Sequence, residues 1–95
     1  MATRLRPAKP AAIDLRKELL AREIARILRD RRMTQTEASY LIREQPSQLS
    51  LITNGHLAGF SVDRLVKYLA RLGCDVEVRI ARGKRSVGRV SVSVR

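Results

Sequence analysis

The sequence is short of cysteine, histidine, aromatic residues and acids, and each shortage closes off a class of proteins. Cys74 is the single cysteine, so no intrachain disulfide forms, and no CxxC pair or Cys/His cluster stands ready to hold zinc. His56 is the single histidine; with no carboxylate, serine or cysteine at motif spacing beside it, it reads as a loop residue and not as a catalytic base. No constellation for catalysis, no metal site and no cofactor motif emerges, and the chain is expected not to be an enzyme. Tryptophan is absent and aromatics make up 3% of the chain, so the stacking platforms that single-stranded nucleic acid requires are scarce. Phe60 is assigned to the core, which leaves Tyr40 and Tyr68. No apolar run approaches the roughly 20 residues of a membrane span, and no apolar signal core follows the basic N-terminus. The expectation is a cytoplasmic protein with no membrane partner.

Positive charge is what the sequence has in excess: +11 over 95 residues. Such a surplus is the footprint of a polyanionic partner, either nucleic acid or an acidic membrane surface. Arginine strongly outnumbers lysine. Its flat guanidinium grips phosphate and guanine edges in a bidentate way, which leans the reading toward nucleic acid. The charge sits on the flanks: residues 1–10 carry +3, residues 14–32 carry +3 and residues 79–95 carry +6, whereas residues 33–78 carry −1. Length and a 44% apolar content allow one domain with a modest core, without room for a deep substrate pocket.

Residues 1–12, with Pro7 and Pro10, read as a flexible basic arm. A first helix is expected from about Ile13 to near Arg32, with Leu20, Ile24, Ile27 and Leu28 on its apolar face. Thr34 and Glu37 form the capping box of a second helix, Gln35 to Ile42, with Ala38, Leu41 and Ile42 as its stripe. Arg43-Glu44-Gln45 breaks the pattern, and Pro46 suits the first position of a third helix, Pro46 to Thr53, stopped by Asn54-Gly55. Ser61 caps a fourth helix, Val62 to Leu72, with Phe60 stapled on Leu65, Val62, Leu65, Val66, Leu69 and Leu72 on one side, and Gly73 ending it. The period then drops to 2 at Val76, Val78 and Ile80, and again at Val90, Val92 and Val94. Arg82 to Ser86 between them has turn character, so the end of the chain reads either as a hairpin or as a frayed tail. The fold class is therefore mainly α: a four-helix domain at 13–80 closed by a C-terminal β-strand or hairpin, then a basic tail at 81–95 that holds a candidate second strand.

Two short helices joined by a few residues, the second opening with small polar side chains, meet the mechanical requirement for reading duplex DNA. With Leu49, Ile52 and Ile42 sealing the core, Pro46, Ser47, Gln48 and Leu51, together with Gln45 and Ser50, remain for the outer or leading face. Gln48 suits an adenine edge, Ser47 a base or a phosphate, and Leu51 a thymine methyl; the plain alternative is a solvated surface. Gln35 and Asn54 are phosphate candidates, with capping or turn roles as the competing reading, and Arg43 and Lys67 are further phosphate candidates. Cys74 reads as packing at the helix-to-strand junction, and Asp75 and Glu77 as solubility or edge-pairing charges. An open strand edge invites a second chain, so Val76, Val78 and Ile80 form a candidate homodimer seam; a strand packed only within its own subunit is the alternative.

Through Thr34-Gln35-Thr36-Glu37-Ala38, Ser47-Gln48-Leu49-Ser50 and Asn54-Gly55, the chain resembles the XRE family of helix-turn-helix proteins, the Cro and phage-repressor type with a lambda-repressor-like fold. Through Gly59-Phe60-Ser61, Arg64-Leu65 and Leu72-Gly73-Cys74-Asp75-Val76-Glu77-Val78, it resembles more narrowly the antitoxin-like branch, whose members often accompany a RelE/HigB-type ribonuclease toxin. The resemblance covers about Leu19 to Ile80. It implies a homodimer on a palindromic double-stranded operator with the third helix in the major groove, Pro46, Ser47, Gln48 and Leu51 toward bases, and Gln35 and Asn54 toward phosphates. It also implies a toxin protein as a candidate partner, and the leading expectation is sequence-specific transcriptional regulation by autorepression, at the nucleoid. Nonspecific nucleic-acid binding through the basic arms is the competing reading. Where that family commonly has Gly and then an apolar residue in the turn, this chain has Arg43 and Glu44.

Overall fold

The computed structural model of the chain describes residues 14–81 and 89–95. Helix α1, Leu15–Asp30, starts after Asp14, whose Oδ1 accepts from the Arg16 N–H at 3.0 Å. The Arg16 guanidinium returns to both carboxylate oxygens, at 3.2 and 3.0 Å, and this bond is the main reason the Asp14 carboxyl is held below its usual range. The expected start at Ile13 lies outside the described residues. At the other end α1 stops at Asp30 because Arg32 turns left-handed, at φ 53°, and the Met33 N–H closes on the Leu28 carbonyl at 2.8 Å. Its buried face holds Leu20, Ala21, Ile24, Ile27 and Leu28, the expected period with Ala21 added.

Helix α2, Gln35–Ile42, opens with the expected capping box: Thr34 Oγ1 accepts from the Glu37 N–H at 3.0 Å, and Glu37 Oε1 accepts from the Thr34 N–H at 2.8 Å. Its inner face differs from the expected stripe. Ala38, Ser39 and Ile42 are buried, whereas Leu41 is 44% exposed. Ser39 tolerates burial because its hydroxyl donates to the Thr36 carbonyl at 2.8 Å. Ser39 and Leu41 flank the line through Ala38 and Ile42 on opposite sides, so a small rotation of the helix decides which of them is buried.

Helix α3, Pro46–Thr53, buries Leu49 and Ile52, and helix α4, Val62–Arg71, buries Leu65, Tyr68 and Leu69. Ser61 caps α4 by accepting from the Arg64 N–H at 3.1 Å. Both helices end on a left-handed glycine, Gly55 at φ 83° and Gly73 at φ 88°, with the next N–H bonded back to Leu51 and Leu69 respectively. Tyr68, expected to be available as a surface aromatic, is instead fully packed with its ring edge-on to Phe60 at 6.5 Å.

Strands β1, Val76–Ala81, and β2, Arg89–Val94, pair antiparallel in one hairpin, which resolves the end of the chain in favour of a second strand over a frayed tail. Val76 faces Val94 and Val78 faces Val92 across the ladder, and all four pack on the helical core, with β1 beside α4 and β2 beside α1. Ile80 continues the same alternation opposite Val90 but runs past the helices and is 63% exposed. Glu77 stands on the outer face, paired with Arg79 at 3.2 Å. Cys74 is buried at the junction of α4 and β1. The basic turn expected at Arg82 to Ser86 lies outside the described residues, as does the arm at 1–12. No described helix is long and apolar enough to cross a membrane.

Candidate nucleic-acid interface

The α2-turn-α3 unit is a helix-turn-helix whose rear is locked and whose front is open. Leu49 at the back of α3 is completely buried and Ile52 nearly so, against Ile42 of α2. An eight-residue helix is roughly 12 Å long, so two such anchors one turn apart fix which side faces out. Pro46 and Ser47 are exposed at its leading end, Gln48 is half-buried, and Leu51 is 40% exposed. Gln45 caps α3 through backbone geometry alone, without a side-chain hydrogen bond.

Arg43 resolves the departure in the turn. It takes the left-handed conformation, φ 61° and ψ 45°, in which glycine is usually found, and its own and the Glu44 N–H close on the Ser39 carbonyl. Its side chain is exposed beside Tyr40 and Gln45, around an open cleft of about 460 Å³ at the start of α3. Glu44, where an apolar residue would pack, is half-buried, and its Oε2 accepts from the Tyr68 hydroxyl at 2.7 Å and from Arg64 at 3.3 Å. Arg64 also donates to Tyr68 Oη at 2.8 and 3.1 Å and to the Gly59 carbonyl at 3.1 Å, and lies 4.8 Å over the Phe60 ring. Burial first, then the Glu44 bond, raises the Tyr68 phenol above its ordinary value, against the opposite pull of Arg64. The bond to Tyr68 is likewise the main reason the Arg64 pKa is raised.

The far end of the unit gathers two phosphate candidates. Gln35 Nε2 donates to Thr53 Oγ1 at 3.4 Å, tying the start of α2 to the end of α3, and Asn54 follows directly. Asn54 Nδ2 turns inward, donating to the Ser50 carbonyl at 2.9 Å and to Ser50 Oγ at 3.3 Å, so in this conformation it caps the helix. Lys67 is exposed on α4. Leu51 borders a second cleft, of about 530 Å³, between the start of α1 and the loop at 55–59, with Asp14, Lys17 and Glu18 on its rim. His56 lines the same cleft, and among the described residues no three His, Cys, Asp or Glu side chains gather as metal ligands would.

Tyr40, left by the sequence as an available aromatic, is 85% exposed on α2, whereas sequence reasoning missed the polar triad Glu44-Arg64-Tyr68. Arg64 and Tyr68 are four residues apart on α4, but Glu44 lies 20 and 24 residues before them, beyond any spacing rule. Comparison with known proteins finds one family model, described as a helix-turn-helix domain, that matches residues 4–81. Searches of curated proteins and of solved structures find no significant match.

Proposed function

Since the chain belongs to the helix-turn-helix domain family, we propose that it is a sequence-specific regulator that reads duplex DNA with α3 and works by binding, without catalysis. The observation that supports this most is the division of α3 into a buried rear, Leu49 and Ile52, and an outer front on which Pro46 and Ser47 are exposed and Gln48 is half-buried. In that reading Gln48 bonds an adenine edge and Leu51 meets a thymine methyl. Gln35, Arg43, Asn54 and Lys67 hold phosphates, Asn54 after its amide rotates away from Ser50.

The finer reading is an XRE-type autorepressor acting as a homodimer at the nucleoid. The open edges of a two-stranded sheet and the exposed Ile80 support a second copy pairing alongside β1, through the Val76, Val78 and Ile80 strand. The antitoxin reading rests on the sequence resemblance alone. Co-expression with the neighbouring gene decides it: absence of both a complex and a growth rescue removes it.

The central test selects duplexes from a random pool with the full chain. The expected outcome is an enriched palindrome bound with strong salt dependence. Gln48→Ala is expected to lose about 1–3 kcal/mol of discrimination at one position of each half-site. A pool with nothing enriched over random duplex overturns the proposal.

A further inference from the structure

We infer that Glu44, Tyr68 and Arg64 are positioning residues for α3, a latch by which α4 sets the angle at which the reading helix leaves the turn. This inference rests on the DNA-reading role proposed for α3 and names residues that do not themselves touch DNA.

Three observations carry it. First, α1, α2 and α4 each start on a side chain that accepts a backbone N–H, from Asp14, Thr34 and Ser61, whereas α3 starts on Gln45 with no such bond. No side-chain cap bond therefore helps to fix the direction of entry into α3. Second, the residue just before Gln45 is the one held from outside: the Glu44 carboxylate accepts from Tyr68 at 2.7 Å and Arg64 at 3.3 Å. Arg64 is in turn immobilised by the Gly59 carbonyl and the Phe60 ring. Third, the other side of the turn is held from the same helix, because Arg71 of α4 donates to the Ile42 carbonyl at 2.8 Å. The turn at 43–45 is thus gripped by α4 on both sides, at the last residue of α2 and at the residue before the α3 cap. Charge-assisted bonds in a half-buried setting are short, directional and stronger than neutral ones, so they hold an angle where an apolar contact would allow sliding. A helix that must place side chains on base edges loses recognition when tilted slightly, while phosphate contacts made elsewhere tolerate the tilt.

The test uses the full chain and two probes, the duplex selected by the wild-type protein and a random duplex, with thermal unfolding and amide exchange measured in parallel. Tyr68→Phe keeps the packed ring and removes the hydroxyl; Glu44→Ala removes the carboxylate; Glu44→Gln keeps an acceptor. Tyr68→Phe and Glu44→Ala are expected to lower the selected-to-random affinity ratio roughly tenfold while random-duplex affinity stays within about twofold. Glu44→Gln recovers most of the ratio. Ile27→Val on α1, a comparable loss of stability far from the turn, leaves the ratio unchanged. In the free protein, Tyr68→Phe is expected to speed exchange at the Gln48 and Leu49 amides, which bond to the Gln45 carbonyl, at least about tenfold more than at α1 amides. An unchanged ratio in folded Tyr68→Phe and Glu44→Ala, or an equal fall in Ile27→Val, overturns the latch. If no duplex is selected at all, the DNA reading fails instead, and the exchange pattern alone decides: uniform acceleration along the chain overturns the latch, and local acceleration at Gln48 and Leu49 sustains it.

Discussion

Replacing Arg43 by glycine should make the protein more stable and a weaker DNA binder at once. Arg43 sits at φ 61°, ψ 45°, with its side chain exposed. That conformation costs a residue with a Cβ about 1–2 kcal/mol, because the Cβ crowds the following carbonyl oxygen. Glycine is free of this cost, but its greater freedom in the unfolded chain offsets about 0.5–1 kcal/mol of the gain. The net expectation lies between about 0 and 1.5 kcal/mol of stabilisation, with a midpoint of about 0.75 kcal/mol that corresponds to roughly 3–6 °C in Tm for a domain of this size. Urea and thermal unfolding followed by circular dichroism measure it, and Arg43→Val, β-branched and more crowded, should move the other way. Removing the guanidinium also removes one phosphate contact in the proposed complex, so the slope of log affinity against log salt should fall by about 1. Reduced stability in Arg43→Gly would refute the account of the turn, whatever happens to DNA affinity.

Thr34→Ala removes the Thr34 hydroxyl's half of the α2 capping box, leaving the residue 34 backbone N–H to Glu37, and should cost about 1 kcal/mol, with Thr34→Ser close to wild type in urea midpoint. Leu69, completely buried in α4, should cost about 2–5 kcal/mol as Leu69→Ala, a large share of the total for a small domain; equilibrium unfolding measures it. Tyr68 ionises at higher pH in the folded chain than in the unfolded one, where its ordinary value is 10.0. Its contribution to stability is therefore fully present below that pH and is lost as pH rises through the higher folded value. Alkaline unfolding should show this limb in the wild type and a flatter one in Tyr68→Phe.

Much of the fold was legible along the chain because its determinants are local. Thr34 and Glu37 are three residues apart, Pro46 and Gly55 bracket α3, and the change of period at Val76 marks the passage from helix to strand, so α2 and α3 were delimited without tertiary information. The apolar rows of α1 and α4 were legible for the same reason: the helix period places those residues on one side whatever they meet. Leu41 and Ser39 were not, since on an eight-residue helix the rotation that chooses between them depends on where α4 lies.

What the sequence by itself determined is the set of elements, their order, and the short polar-fronted helix opening at Pro46. Only the tertiary structure decided that Arg43 takes a glycine's conformation, that β1 closes on β2, and that Glu44 turns inward to Tyr68 and Arg64. The physical reason is the range of the interactions. Caps and periodicity act within a turn or two of chain, whereas a carboxylate finds a phenol 24 residues away only after the core has brought two helices together.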